Sequence, residues 1–352
     1  MLNRIIRILG SAACCALLLA GCSIRLDDPA PNAGQIGFSA GSALLRNDAT
    51  KSASLITGTS FPENSQLHVW AWHSAAAQNI SFGGTTKVHL SEGAWDYSPH
   101  QFWNWRDGED YYDFLSIYPG EKTVTPPSAS VQQSNLQALV PYNALSDQFD
   151  LMAAGLRRTE KITTTVPLQF SHLLSAVGVK IKNASSSVDN NGDPLPITLK
   201  SCSFVNLITS SSINVVFDGS SLSSAPGPGA RNAGLGPQVP AAGVSLNPGS
   251  FFPSGSAEWD IMIPQDLRFE SLDTTAPSLR IVYNKGDVGD EVELIPLKEI
   301  KNAVSKEEIT SWEAGVQYQY EIEIKLGGGI LVIVRTTPWE VIEAETPGLM
   351  II

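Results

Sequence analysis

Residues 316–326 read VQYQYEIEIKL. Tyr318, Tyr320, Ile322, Ile324 and Leu326 alternate with Gln317, Gln319, Glu321, Glu323 and Lys325. Side chains along a strand point alternately to its two faces, so this pattern is a strand with one face in a core and one in water. Gly327-Gly328-Gly329 follows, then the apolar run Ile330 to Val334. Strand, flexible turn and strand in that order predict a hairpin.

The same short alternation recurs on moving outward from this stretch. Leu67, Val69 and Ala71 alternate with His68, Trp70 and Trp72, and Val177, Val179 and Ile181 alternate with Lys180 and Lys182. Phe114 to Tyr118 closes on Pro119-Gly120, and Ile261 and Ile263 precede Pro264. Near the start, Ile36, Phe38 and Ala40 share one face of a strand expected over Gln35 to Ala40. Helical signal is sparse. Ser305-Lys306-Glu307-Glu308 has a capping-box pattern and predicts one short helix near 305–312. Residues 220–248, rich in Gly, Ser, Pro and Ala, predict a long loop. The expectation is an all-β chain of sandwich type with few short helices.

The chain has 352 residues, enough for two domains of ordinary size. The polar run LRRTEKITTT (156–165) separates two strand-rich blocks and is the expected boundary. This gives a signal over 1–21, a tether over 22–34 and two tandem β-sandwich domains, 35–163 and 164–352. Arg4 and Arg7 precede a short apolar run from Ile8 to Ala20, which reads as a signal peptide too short to span a bilayer. It closes on Leu18-Leu19-Ala20-Gly21-Cys22, an order that resembles the bacterial lipoprotein signal, in which the cysteine is acylated. An acyl chain buries about 0.8 kcal/mol per CH₂ and anchors without spanning. Asp27 and Asp28 resemble the surface-export signal of Bacteroidetes lipoproteins.

Loss of residues 1–21 removes two arginines and leaves 21 basic against 35 acidic residues, a net charge of −14. Such a polyanion has no basic footprint for nucleic acid. After Cys14 and Cys15 leave with the signal and Cys22 is acylated, only Cys202 remains. That excludes an intramolecular disulfide and a multi-cysteine zinc site.

Several patches resemble one family in the right order. GAWDYSPHQFWNW (93–105) followed by YDFLSIYP (112–119), DLMAA (150–154), VPLQFSHLLSAVGVKI (166–181), AGVQYQYEIEI (314–324) and a late tryptophan, Trp339, are similar to the patterns of Bacteroidetes fimbrillin-like lipoproteins, or type V pilins. The resemblance implies two transthyretin-like β-sandwich domains, no enzymatic activity and no cofactor. It implies an outer-membrane lipoprotein precursor, palmitoylated at Cys22, that ends in a cell-surface fimbria serving adhesion. A surface protease cuts the N-terminal domain, the first strand leaves, and another subunit's C-terminal strand fills the groove. Partners are then other pilin subunits, the outer membrane through the lipid, and a host or bacterial surface ligand.

On this sequence the displaced strand carries Ile36, Phe38 and Ala40. The cut falls at Arg46 in SALLRND, with Lys51 as the alternative; both also read as ordinary surface cations. The donor is the tail WEVIEAETPGLMII (339–352), whose end, Leu349, Met350, Ile351 and Ile352, is hard to leave in water and otherwise packs on its own domain. Stalk, anchor and tip subunits of the same pilus remain open.

Trp70, Trp72, Trp95, Trp103 and Trp105 raise a second reading, a surface glycan-binding lipoprotein; aromatics also build ordinary cores. His172 reads as a packed residue beside Phe170 and Leu173 rather than a metal ligand. Asp189-Asn190-Asn191-Gly192-Asp193 hints at calcium but lacks the twelfth-position glutamate and fits a turn. No HExxH, G-x-S-x-G or phosphate-binding loop is present, so neither metal nor catalytic residues are expected.

Overall fold

The computed structural model describes residues 34–42, 61–84, 87–128, 135–161, 163–186, 188, 191–192, 195–254, 258–268, 276–286, 289–326 and 329–339. Among these residues the fold is all-β, with a single 3₁₀ turn at Leu297–Glu299. The strands of the first half are β1 (Phe38–Ser42), β2 (Gln66–His73), β3 (Gln78–Phe82), β4 (Val88–Ser91), β5 (Ala94–Asp96), β6 (Tyr112–Tyr118), β7 (Leu136–Asn143) and β8 (Met152–Arg158). Next come β9 (Val166–His172), β10 (Ser175–Asn183), β11 (Ile197–Val205), β12 (Leu207–Phe217), β13 (Leu222–Pro226), β14 (Ala230–Asn232), β15 (Val244–Leu246) and β16 (Trp259–Met262). The last are β17 (Gln265–Asp266), β18 (Ser278–Asn284), β19 (Asp290–Pro296), β20 (Lys301–Asn302), β21 (Ser311–Trp312), β22 (Val316–Lys325) and β23 (Gly329–Pro338).

The largest sheet runs β1-β9-β8-β6-β2-β4-β5, with β3 also on β2. Both of its faces are covered, which is why β6 is buried along its whole length. One face carries Leu67, Val69, Phe114 and Phe170 into a core with Ile36 and Phe38. The other carries Trp70, Trp72, Leu115 and Ile117 towards Leu136, Ala138, Val140 and Tyr142 of β7. Strand β7 pairs with β12, so a strand from the first half of the chain lies in a sheet built by the second half. Conversely, β9, which follows the polar run at 156–165, lies in the first sheet against β8. Gly155 of β8 sits where the two layers meet: a Cβ there would lie 2.3 Å from the Phe217 ring of β12.

The expected hairpin is present: β22 pairs antiparallel with β23 from Val316↔Pro338 to Lys325↔Gly329. Tyr318, Tyr320, Ile322 and Ile324 are buried, while Gln319, Glu321 and Glu323 are half-exposed. Strand β22 lies between β10 and β23 in the sheet β16-β10-β22-β23-β20. It faces the sheet β15-β11-β18-β19 across a shared core, where Phe204 of β11 meets the Tyr320 ring edge-on at 5.5 Å. This is sandwich packing of two sheets over interdigitated side chains.

Two sequence expectations are overturned. There is no helix at 305–312. Asn302 Oδ1 accepts the Val304 and Ser305 N–H groups, Ser305 Oγ accepts the Glu307 N–H two residues on, and Lys306 takes φ +64°, which a helix does not tolerate. The segment is a side-chain-capped turn, and Glu308 then bridges back to Lys301. The stretch 220–248 is not a long loop either. Strands β13 and β14 pair with the edge of β12 opposite β7, and β15 pairs with β11. Its Gly, Ser and Pro residues mark turns between short edge strands, and β12 and β11 supply the backbone partners that composition does not reveal.

Candidate functional site

The site is the first strand and the groove that holds it. Strand β1 closes one end of the large sheet, and among the described residues its one strand partner is β9, in parallel, from Phe38↔Val166 to Ser42↔Phe170. Just before it the chain is pinned on its other side by residues 101–103. Ile36 N–H donates to Gln101 O (2.9 Å) and Trp103 N–H to Gly34 O (2.7 Å). Ile36 and Phe38 are 0% and 2% exposed, whereas Ala40 is half-buried at the edge of the same core. The Phe38 ring meets Phe82 edge-on at 5.0 Å, Tyr97 at 5.7 Å and Phe114 at 6.2 Å. Burying two large apolar side chains stabilises the strand by about 3–6 kcal/mol.

Tyr97 adds a polar hold. Its hydroxyl donates to Ile36 O at 2.6 Å and accepts the Gln101 N–H at 3.1 Å. Burial pushes this phenol up to about 12. The aromatic segment beside it is tied down by Asp110. That carboxylate accepts from His73 Nε2 (2.9 Å), Ser74 Oγ (2.8 Å) and the N–H groups of Ala75 (3.1 Å) and Arg106 (2.9 Å). Burial acts to raise its pKa, but these four donors outweigh it and hold the carboxyl well below the usual range.

The tryptophans are packing residues first. Trp70 and Trp72 are buried between the layers. Trp103 stacks on Trp105 at 5.2 Å and has the Arg158 guanidinium 5.9 Å from its ring, while Trp95 meets Phe61 edge-on at 5.6 Å. Trp103 and Trp105 thus engage each other, and Trp95 engages Phe61. His172 continues the buried face of β9 beyond Phe170, and its partners are Asp150 Oδ1 at 2.8 Å and the stacked Trp339 ring at 4.4 Å. Sequence reading singled out Asp150, His172 and Trp339 in three separate patches but gave no signal that they meet. The Asp110 anchor went unseen as well, since a lone aspartate in RDGED (106–110) looks like a solvated turn.

Ile36, Phe38 and Ala40 thus lie together in the groove. Cys22, Arg46, Lys51, Leu349, Met350, Ile351 and Ile352 lie outside the described residues, as do Asp189 and Asp193 of the calcium-like stretch. No group of three or more His, Cys, Asp or Glu side chains capable of holding a metal occurs among the described residues.

The family model described as fimbrillin-like matches residues 53–339, and the chain belongs to that family. Among solved structures it is similar to a fimbrial protein from Bacteroides vulgatus, with 14% identity, TM-score 0.50, and coverage of 87% of this chain and 99% of that one. It is also similar to a candidate cell adhesion protein from Bacteroides ovatus (12% identity, TM-score 0.48, 88% and 99% covered). A third is the tip fimbrial protein Mfa3 from Porphyromonas gingivalis (9% identity, TM-score 0.38, 79% and 95% covered). No curated protein matches the chain in sequence.

Proposed function

We propose that the protein is a structural subunit of a type V pilus, exported as a lipoprotein through Cys22 and assembled by protease-triggered strand exchange. The observation that carries this reading is the placement of β1. Ile36, just before the strand, and Phe38 within it are fully buried, yet among the described residues β1 itself pairs with β9 alone, at the end of its sheet. Such a strand can be withdrawn without unthreading the rest of the fold, and its loss leaves a groove walled by Phe82, Tyr97 and Phe114. Cleavage at Arg46, or at Lys51, falls after β1 in sequence and frees it. The tail of another subunit, ending Leu349-Met350-Ile351-Ile352, then supplies main-chain pairing to β9 and alternate side chains to the groove. The lipid holds the precursor at the outer membrane until cleavage, and the assembled fibre stands on the cell surface to serve adhesion.

The test starts from the chain beginning at residue 23, treated with limiting arginine-specific protease. A single new N-terminus after Arg46 by mass spectrometry, followed by ladders on an unheated detergent gel, is the expected result. Deleting the tail should leave cleaved monomers; ladders that persist without it sink the donor assignment. Cleavage with no ladder moves the subunit to a tip or accessory position, and no cleavage with a stable monomer moves it to an anchor or a glycan-binding lipoprotein.

A further inference from the structure

The sheet β15-β11-β18-β19 has a second, different edge. Strand β19 reads DEVELIP and pairs along its whole length with β18, from Ser278↔Pro296 to Asn284↔Asp290. Its other side has no strand partner among the described residues. Val292 and Leu294 share one face and are 56% and 45% exposed. Glu291 and Glu293 share the other face, opposite Tyr283 and Ile281. Glu291 is committed to the Tyr283 hydroxyl (2.8 Å) and to Lys285 (2.5 Å), whereas Glu293 is exposed and forms no ion pair among the described residues.

An unpaired apolar edge is a template for any passing strand, and charge at the edge selects which strands are accepted. The acidic residues here discriminate against two occupants. If a second copy paired its own β19 antiparallel about Val292, Glu291 would face Glu293 twice, and like charges directly opposite are destabilising. The chain's own tail carries Glu340, Glu343 and Glu345 and no Lys or Arg over 340–352, so it meets the same repulsion. The complementary occupant has apolar residues beside Val292 and Leu294 and a cation beside Glu293, since Glu291 already has Lys285.

We propose that the free edge of β19 is a docking site for an extended, alternating apolar–basic segment of another protein, which adds to the sheet as an antiparallel strand. The site lies on a different sheet from the β1 groove and does not depend on strand exchange there.

The test is fluorescence anisotropy of the intact chain with a labelled seven-residue peptide of alternating Lys and Val, matched to the length of β19. Two comparison peptides have the same residues with the lysines clustered, or Glu in place of Lys; a third is the tail, residues 339–352. The expected result is saturable binding of the alternating Lys peptide, weakened by salt, with the clustered peptide about tenfold weaker. Glu293→Lys and Val292→Asn, each with unchanged circular dichroism and melting, should weaken it by a similar factor. Equal binding of alternating and clustered lysines, or binding untouched by both variants, overturns the proposal as plain attraction to a polyanion. Tighter binding of the tail or the Glu peptide overturns the choice of partner. Dimerisation of the chain that Val292→Asn abolishes overturns it in favour of a second copy.

Discussion

His172 Nδ1 donates to Asp150 Oδ1 across 2.8 Å, with neither side chain exposed to solvent, and the Trp339 ring lies 4.4 Å from the imidazole and 4° from parallel to it. Asp150 stands just before β8, His172 ends β9 and Trp339 follows β23, so the contact fastens three distant segments. Trp339 N–H donates to Gly315 O, and Gly315 N–H to Leu174 O, which closes the arrangement through the backbone. Trp339 is therefore a fixed point of the fold.

Deleting one side of a buried hydrogen bond costs about 1–3 kcal/mol. Asp150→Ala and His172→Ala should each lower the free energy of unfolding by that amount. The double variant should fall well short of the sum, with a coupling of about 0.5–3 kcal/mol. Chemical denaturation of the four proteins measures the cycle. Strict additivity would show that the two residues act independently.

Gly155 carries the second prediction. The Phe217 ring occupies the space of a Cβ at that position, so Gly155→Ala must displace either the ring or a strand. Overpacking of this kind costs about 1–3 kcal/mol. Phe217→Leu should be destabilising alone yet relieve part of the cost in the Gly155→Ala background, because a smaller side chain leaves room. A rescue of this sign in thermal melts separates a steric contact from a general loss of strand propensity.

The third concerns acid. Asp110 has its folded pKa lowered, so it stabilises the fold above the unfolded value of about 3.9 and loses that contribution as pH falls below it. An asparagine keeps the size but cannot accept all four donors, and a stranded donor costs about 1–3 kcal/mol. Asp110→Asn should therefore be less stable near neutral pH, and its stability curve should converge on that of the parent as pH falls below 4. Two curves that stay parallel to the lowest pH would mean that the charge is irrelevant.

Much of the fold was legible because its signal is local. The alternation in VQYQYEIEIKL needs only its own neighbours to become β22, and Ile36 and Phe38 announced a buried face in the same way. The losses have a common cause, which is that the deciding partner lies far away in the chain. Composition made residues 220–248 look like a loop because it is silent on the long second edge that β12 offers to β13 and β14. The motif at Ser305 looked like a helix start because nothing in four residues shows Asn302 capturing the next two N–H groups. Residue identity marked Asp150, His172 and Trp339, but only topology brings them within contact.

Tyr97 offers a test of what holds the first strand. Its pKa is raised from the usual 10 to about 12, mainly by burial, so the folded state favours the protonated phenol. Its contribution is fully present below pH 10 and is lost as pH rises through 12. Tyr118 and Tyr318 are raised similarly by burial, so the chain as a whole should lose stability over that alkaline range. The share that belongs to β1 is isolated by Tyr97→Phe, which keeps the ring against Phe38 and Phe82 but deletes the hydrogen bond to Ile36 O. The variant should lose about 0.5–1.5 kcal/mol near neutral pH. It should also be less sensitive than the parent between pH 10 and 12, since one shifted phenol is gone. Hydrogen exchange locates the effect: the amides of Ile36 and of Val166, which donates to Gly37 O, should exchange faster, while those of β22 should keep their protection. Uniform acceleration across both halves would mean that Tyr97 supports the global fold and has no particular hold on the first strand.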